Sequence, residues 1–230
     1  MTNGVGSMPA AGGAAPARSP YFDVSCRRCK RLAEFLDEVG ERYPDYHARP
    51  VAPFGPSEAR LLVVGLAPGM HGANATGRPF TGDFAGVLLY QTLYAYGFAS
   101  LPDSRHADDG LELIDCRITN AVKCLPPQNK PVGAEINACN DFLARELATL
   151  APGAVIVALG GIAHRAVVKA LGLRQKDFAF GHAQEHALPD TQTMLDSYHC
   201  SRYNTQTRRL TDAMFHAIFE RARDLLNRSR

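Results

Sequence analysis

The sequence predicts an α/β fold, a three-layer α/β/α sandwich with a central, mainly parallel sheet. Two observations lead to this class. Short apolar runs alternate along the chain with amphipathic stretches, which is typical of strand–helix units. The runs LLVV at 61–64 and AVIVAL at 154–159 also lack polar positions, as expected when helices cover both faces of a sheet.

Composition supports one compact domain. The chain has 230 residues, of which 46% are hydrophobic, and this suits a single sizeable core. No apolar run approaches the roughly 18 residues that a membrane span needs, so we expect no membrane-spanning helix. The 25 basic and 23 acidic residues exclude a histone-like polycation but leave room for a local basic face.

The amino terminus has a different character. Twelve of the first twenty residues are Gly, Ala or Pro without hydrophobic periodicity, which predicts a disordered tail at 1–20 and a single domain at 21–230. The tail has neither the basic start nor the continuous apolar stretch of a secretory signal. We therefore expect a reducing, cytoplasmic setting, in which clustered cysteines favour metal binding or catalysis over disulfides.

Hydrophobic spacing predicts the elements in order. Leu32, Phe35, Leu36 and Val39 recur at helical spacing within 27–44, and the four Pro or Gly residues of 45–60 predict a loop. The remaining predicted elements are a strand at 61–64, a helix at 84–97, a strand at 114–122, a helix at 134–150, a strand, Gly-Gly turn and helix at 154–172, a strand at 194–199 and an amphipathic helix at 206–227.

Three unusual loops follow predicted strands, at 65–83, 120–131 and 199–210. In open parallel sheets the ligand site lies beyond the carboxyl ends of the strands, so the three loops are expected to meet there. The first, GLAPGMHGANATGRPFTGD, carries five glycines in nineteen residues, which lets backbone approach a ligand closely. It matches neither a Walker A loop nor the dinucleotide GxGxxG pattern.

The first loop also carries His71, Asn74, Arg78, Phe80 and Asp83. An aromatic ring among mixed hydrogen-bond donors and acceptors suits a planar, polar heterocycle. Together with ITNAVKCLPPQNKP and HCSRYNTQTRRLT, this loop resembles the motifs of family 5, or B-type, uracil-DNA glycosylases, over residues 26 to about 211. The resemblance implies an α/β/α sandwich, an iron–sulfur cluster and excision of damaged bases from DNA.

The resemblance assigns roles to individual residues. Cleavage between deoxyribose and uracil leaves negative charge on the base, and a His199 N–H would stabilise it at O2. The Asn120 amide would read N3–H and O4, Phe80 would stack on the flipped base, and the backbone amides of Leu66 and Ala67 would contact it. These assignments make His199 and Asn120 catalytic as well as substrate-binding residues.

Asp83 has two interpretations. Its carboxylate would orient the attacking water and stabilise the cationic sugar, or it would cap the helix that begins at Phe84, and both are compatible. The related family 4 motif has an acid after its first Gly, whereas this chain has Leu66 there. Asp83 is then the nearest ionisable substitute for positioning water.

The residues after His199 suit DNA-backbone contacts or a wedge in the duplex. The predicted DNA-binding residues are Arg202, Asn204, Thr205 and Arg208, with Ser201 beside them. A solvated helix start is the alternative for this segment.

The six cysteines divide into two groups. Cys26-x2-Cys29 is a chelating pair, and Cys124 and Cys139 flank the Pro-Pro loop; four thiolates suit structural Zn²⁺ or an iron–sulfur cluster, which spacing does not separate. The resemblance favours a [4Fe–4S] cluster on these four. Cys116 is expected in the core, and Cys200 stands where related families often have Pro.

Two classes of function are open at this point. The first is a monofunctional glycosylase, since no lysine in the three motifs is a clear Schiff-base candidate, and the resemblance implies action on uracil, hypoxanthine, xanthine and 5-hydroxymethyluracil in double-stranded DNA. We expect a monomer. The second is a non-catalytic iron–sulfur module that binds nucleic acid. Convergence of Phe80, Asn120 and His199 on one pocket would separate the two.

Overall fold

The computed structural model describes residues 18–228 and confirms the three-layer α/β/α fold. The central sheet has five strands, β3 (Leu61–Gly65), β4 (Cys116–Asn120), β5 (Val155–Leu159), β6 (Glu185–Ala187) and β7 (Thr193–Ser197). Their order across the sheet is β4-β3-β5-β7-β6. The first four strands in this order are parallel to their neighbours, and β6 pairs antiparallel with β7 at the edge.

Four of the helices cover the two faces of the sheet. The helices are α1 (Lys30–Arg42), α2 (Ala73–Thr76), α3 (Phe84–Ala95), α4 (Gly133–Leu147), α5 (Gly161–Ala170), α6 (Arg202–Gln206) and α7 (Asp212–Arg228). In β3, Leu61 and Val63 pack with α3 and α7, whereas Leu62 and Val64 pack with α4 and α5. Alternate side chains of one strand thus enter two separate cores, which explains why the strands are apolar at every position.

The last predicted helix, at 206–227, is wrong at its start. Gln206 ends the short helix α6, whose first turn is capped by the Ser201 hydroxyl as it accepts a hydrogen bond from the Asn204 backbone amide. Arg208 then adopts a positive φ of 56°, which helical backbone excludes. The long helix α7 begins only at Asp212, where the Thr211 hydroxyl accepts from the Met214 backbone amide. The Ser and Thr caps thus set helix starts that the apolar stripe does not show.

Two short pairings were not predicted. Residues 1–17 of the predicted disordered tail lie outside the described residues, but its next two form β1 (Arg18–Ser19), which pairs antiparallel with β2 (Phe22–Asp23). The edge strand β6 reads Glu-His-Ala and is largely solvent-facing, so it carries no apolar signal. None of the helices within 18–228 has the length and apolarity that crossing a membrane requires.

A buried ionic group joins α4 to the sheet. The Glu146 carboxylate is fully buried, accepts a hydrogen bond from the Thr119 hydroxyl at 2.8 Å and pairs with the Lys123 ammonium at 3.0 Å. The Arg117 guanidinium lies 3.9 Å from the other carboxylate oxygen and over the Tyr21 ring. Two buried cations thus depend on a single buried anion.

Candidate active site

The first and second loops meet through strand register. Gly65 ends β3 and Asn120 ends β4, and the two are directly paired. A Cβ at Gly65 would lie 2.4 Å from the Asn120 side-chain oxygen and 2.7 Å from the Phe80 ring. Only glycine therefore allows these side chains to converge. Asn120 is 3% exposed, and its Oδ1 has no hydrogen-bond partner among the described residues, as expected of a group that awaits a ligand.

The third loop brings His199 to the same place. The imidazole faces the Phe80 ring at 5.9 Å between centroids, with 29° between the ring planes. Phe80 adopts a positive φ of 54°, unusual for an aromatic residue, and a Cβ at Gly86 would lie 1.8 Å from the Phe80 carbonyl oxygen. The backbone turn at Phe80 thus packs tightly against Gly86 of α3, and this contact fixes the position of the Phe80 ring.

His199 is held as a neutral side chain. Burial lowers the pKa of its imidazole to about 4, so the ring keeps a single N–H at neutral pH. The His199 carbonyl accepts a hydrogen bond from the Asn204 side-chain Nδ2 at 2.8 Å, and the His199 Cβ lies 3.6 Å from the position of a Cβ at Gly160. A neutral imidazole acts as a hydrogen-bond donor to developing negative charge without bringing a full charge into the pocket.

The structure confirms one of the two interpretations of Asp83, that it caps the helix beginning at Phe84. Its Oδ1 accepts a hydrogen bond from the Gly86 amide at 2.8 Å and caps α3. Its Oδ2 faces the turn at 69–72, since a Cβ at Gly72 would lie 2.6 Å from it and one at Gly69 would lie 3.6 Å away. Burial raises the pKa of the Asp83 carboxyl, although the Gly86 and Ala85 amides oppose the shift.

The backbone after β3 is tied to the second loop. The Gly65 carbonyl accepts from the Ala121 amide and the Leu66 carbonyl accepts from the Val122 amide, both at 2.9 Å. Leu66 and Ala67 are half-buried, and Ala67 packs against the cysteine group described below. The backbone predicted to contact the base is therefore held between the sheet and the cysteines.

The predicted DNA-binding residues separate into two pairs. Arg202 and Arg208 are exposed, and the Arg202 guanidinium lies 5.0 Å from the centre of the Phe84 ring. Asn204 and Thr205 are half-buried and bond within the loop, Asn204 to His199 and Thr205 to Ser201. These two position the loop in this structure.

Two exposed aromatic side chains lie beside the third loop and were not predicted. Tyr203 on α6 is 70% exposed, four residues after His199, and Phe84 is 40% exposed beside Arg202. The segment HCSRYN contains this tyrosine among polar residues, but the sequence does not show that its ring is exposed.

The four predicted metal-ligating cysteines converge. Cys26, Cys29, Cys124 and Cys139 line one cavity, packed against Leu32 and Phe142. Burial raises the pKa of the Cys124 thiol, and the sulfurs of Cys139, Cys26 and Cys29 raise it further. The Lys123 amide donates to the Cys139 sulfur at 3.3 Å. Cys116 and Cys200 lie in the core on the opposite face of the sheet.

The donor set suits a thiolate-bound metal centre. Four cysteine sulfurs at one apolar cavity can hold either a structural Zn²⁺ ion or an iron–sulfur cluster. Among residues 18–228, a separate group of metal-binding atoms within 4.8 Å of one another occurs at His164, His186 and Asp196.

Comparison with known proteins agrees with this geometry. The family model described as the uracil DNA glycosylase superfamily matches residues 52–223. The chain is 46% identical over 207 residues to a type-5 uracil-DNA glycosylase of Thermus thermophilus, covering 88% of this chain and 94% of that protein. Type-5 uracil-DNA glycosylases of Pyrobaculum aerophilum and Mycobacterium leprae are 42% and 40% identical, covering 86% and 93% of this chain and 88% and 96% of theirs. The chain therefore belongs to the uracil-DNA glycosylase superfamily and, within it, to the type-5 family.

Proposed function

We propose that the protein is a monofunctional DNA glycosylase, which hydrolyses the N-glycosidic bond of uracil in double-stranded DNA and starts base excision repair. The observation that carries this proposal is the convergence of Phe80, Asn120 and His199 around Gly65. An aromatic face, a buried amide and a neutral imidazole are the groups that hold a flipped pyrimidine and stabilise its departing anion. Membership of the family supports the same activity.

Base recognition falls to Asn120. Its amide offers a donor and an acceptor, which match adjacent O4 and N3–H of uracil. Because Oδ1 is buried without a partner among the described residues, binding of a base relieves the cost of that unmet acceptor. Phe80 stacks on the ring, and the Leu66 and Ala67 amides complete the pocket.

The chemistry requires help at both ends of the breaking bond. His199 donates its N–H to O2 as negative charge accumulates on the base. Asp83 orients the attacking water through Oδ2 and stabilises the cationic sugar, while Oδ1 continues to cap α3. Lys123 is sequestered in its ion pair with Glu146, which argues against a Schiff-base mechanism.

The substrate range extends beyond uracil in this proposal. Leu66 brings no carboxylate to the base edge, so the pocket discriminates less strictly among deaminated or oxidised bases. We include hypoxanthine, xanthine and 5-hydroxymethyluracil. On the DNA side, Arg202 and Arg208 contact phosphates, and the exposed Tyr203 lies where an unstacked base pair would be supported. We propose that the protein acts as a monomer, which suits a DNA-repair enzyme of this size, in the reducing environment of the cytoplasm, where the four thiols stay available to a cluster.

The four cysteines hold a [4Fe–4S] cluster in this proposal, which fixes the loop that carries Ala67. Replacing Cys139 with serine is expected to abolish iron incorporation, because a buried ligand is lost. Iron content and visible absorbance of freshly purified protein provide the measurement. Cys116→Ser is the matched control, since Cys116 is also buried but lies in the core away from the other four cysteines. Equal iron in both variants contradicts the assignment.

The central experiment is cleavage of a labelled duplex with one G·U pair, followed by alkali. Wild type is expected to give alkali-dependent strand cleavage, and His199→Ala to lower the excision rate by roughly 10²–10³-fold, the cost of losing one donor to a developing anion. His216→Ala, on α7, serves as the control. Hypoxanthine, xanthine and 5-hydroxymethyluracil duplexes test the range. Folded, cluster-loaded protein that binds DNA but cleaves none of these supports the non-catalytic module instead.

A further inference from the structure

A second group of ligand-type side chains lies outside the pocket and the cysteine cavity. His164 on α5, His186 on β6 and Asp196 on β7 place one donor atom each within 4.8 Å of one another. His164 Nδ1 lies 2.8 Å from Asp196 Oδ1, and His186 Nε2 lies 3.0 Å from Asp196 Oδ2. Three elements, α5, β6 and β7, thus present imidazole and carboxylate atoms to one point.

The group is buried, so its polar atoms need compensation. Asp196 is fully buried, His164 is 1% exposed and the His186 side chain is 10% exposed. The ion-pair partners of Asp196 in the described part of the chain are these two histidines. A fully buried carboxylate needs hydrogen-bond donors or a cation against its oxygens.

The outer contacts orient the histidine as a ligand. His164 Nε2 lies 3.0 Å from the Phe178 carbonyl oxygen, which only accepts, so this nitrogen donates its N–H there. With Nε2 engaged in this way, Nδ1 is the ring nitrogen that would bind a metal ion. Histidines that bind metals typically donate their second N–H to a backbone carbonyl in this manner. The Gly181 amide approaches Asp196 Oδ2 at 3.4 Å and supports the carboxylate in the same way.

We propose that His164, His186 and Asp196 form a binding site for a divalent transition-metal ion of the zinc class. Two imidazoles and one carboxylate are a common zinc donor set, and the fourth position is left to water. Entry is from the side of His186, the most exposed of the three. The ion replaces the direct imidazole–carboxylate contacts with bonds to the metal, and the donors move apart slightly to accommodate it.

The site joins segments that carry the third loop. His164 lies on the first turn of α5, four residues after Gly160, whose Cβ position contacts His199. Asp196, on β7, lies three residues before His199 in the sequence. A metal ion here would fasten the turn after β5 to the end of β7. The role is structural and independent of the glycosylase chemistry proposed above.

The test uses cluster-loaded full-length protein, dialysed against a chelator and titrated with zinc by calorimetry. Wild type is expected to bind one equivalent of zinc that His186→Gln and Asp196→Asn do not bind under the same conditions. The zinc affinity of these two variants is expected to fall more than roughly 100-fold, because loss of an outer-shell partner alone costs about 10–100-fold. His106→Ala, an exposed histidine in a distant loop, is the matched control and keeps the equivalent. Zinc is also expected to raise the Tm of wild type and His106→Ala only.

Cobalt(II) distinguishes this site from the cysteines. A nitrogen–oxygen donor set gives weak visible absorption without the strong near-ultraviolet sulfur-to-metal band of thiolate ligands. The proposal predicts the former in wild type and its loss in His186→Gln. It is overturned if wild type and His186→Gln, with matching circular dichroism, bind equal zinc, or if the only cobalt signal is that of thiolates.

Discussion

Replacing Asp83 with asparagine is expected to lower the rate of uracil excision by roughly 10²–10⁴-fold, the usual contribution of a general base. Asparagine caps helices about as well as aspartate, so α3 keeps its acceptor for the Gly86 amide while the carboxylate is lost. The measurement is single-turnover excision from a G·U duplex. Asp108→Asn, at an exposed position, is the control, and its rate is expected to equal that of wild type.

The pH profile separates Asp83 from His199. Burial raises the pKa of Asp83, so its active carboxylate is lost at higher pH than that of an exposed aspartate as the solution is acidified. Burial lowers the pKa of His199 to about 4, so the imidazole stays neutral through most of that range. The acid limb of single-turnover rates then belongs to Asp83 and is absent in Asp83→Asn. An unchanged acid limb in that variant would assign the water to another group.

Replacing Glu146 with alanine is expected to destabilise the fold by about 3–5 kcal/mol, the cost of breaking a buried ion pair by removing one partner. Lys123 and Arg117, each 3% exposed, would be left as buried cations without the carboxylate they share. Urea unfolding of the cluster-loaded protein, followed by circular dichroism, provides the free energy of unfolding. Glu220→Ala, on the exposed side of α7, is expected to change it by less than about 0.5 kcal/mol.

The effect of Glu146→Ala should extend to the cofactor. Lys123 also donates its backbone amide to the Cys139 sulfur and precedes Cys124, so disorder around its side chain reaches two cysteines. Iron content is therefore expected to fall along with stability. A variant as stable as wild type would show that water or local rearrangement compensates the two cations.

The parallel sheet could be predicted because its strands enter two cores. Every position of β3 and β5 is buried, and short uninterrupted apolar runs of that kind are typical of strands covered on both faces. The edge strand β6 could not be predicted, because its partly exposed residues form no uninterrupted apolar run. The division of the last helix was likewise hidden, since Ser201 and Thr211 act through caps that compete with a continuous stripe.

The convergence of Phe80, Asn120 and His199 could be predicted from the sequence, but not the contacts that hold them in place. Loops after parallel strands had to share one edge of the sheet, which brought Asn120 and His199 together. The sequence does not show that the Asn204 side chain donates to the His199 carbonyl, because nothing in the sequence distinguishes a half-buried asparagine from an exposed one. Nor does it show the grouping of His164, His186 and Asp196, since their proximity depends on the pairing of β6 with β7.

The hydrogen bond from the Val122 amide to the Leu66 carbonyl has a consequence for substitution at position 66. It holds residue 66 through its main chain, so we expect the half-buried side chain there to be exchangeable with little effect on the sheet or the cysteines. In the function proposed above, this side chain lies at the edge of the base. Position 66 would then be a place where the choice of base can be altered with little effect on the stability of the fold.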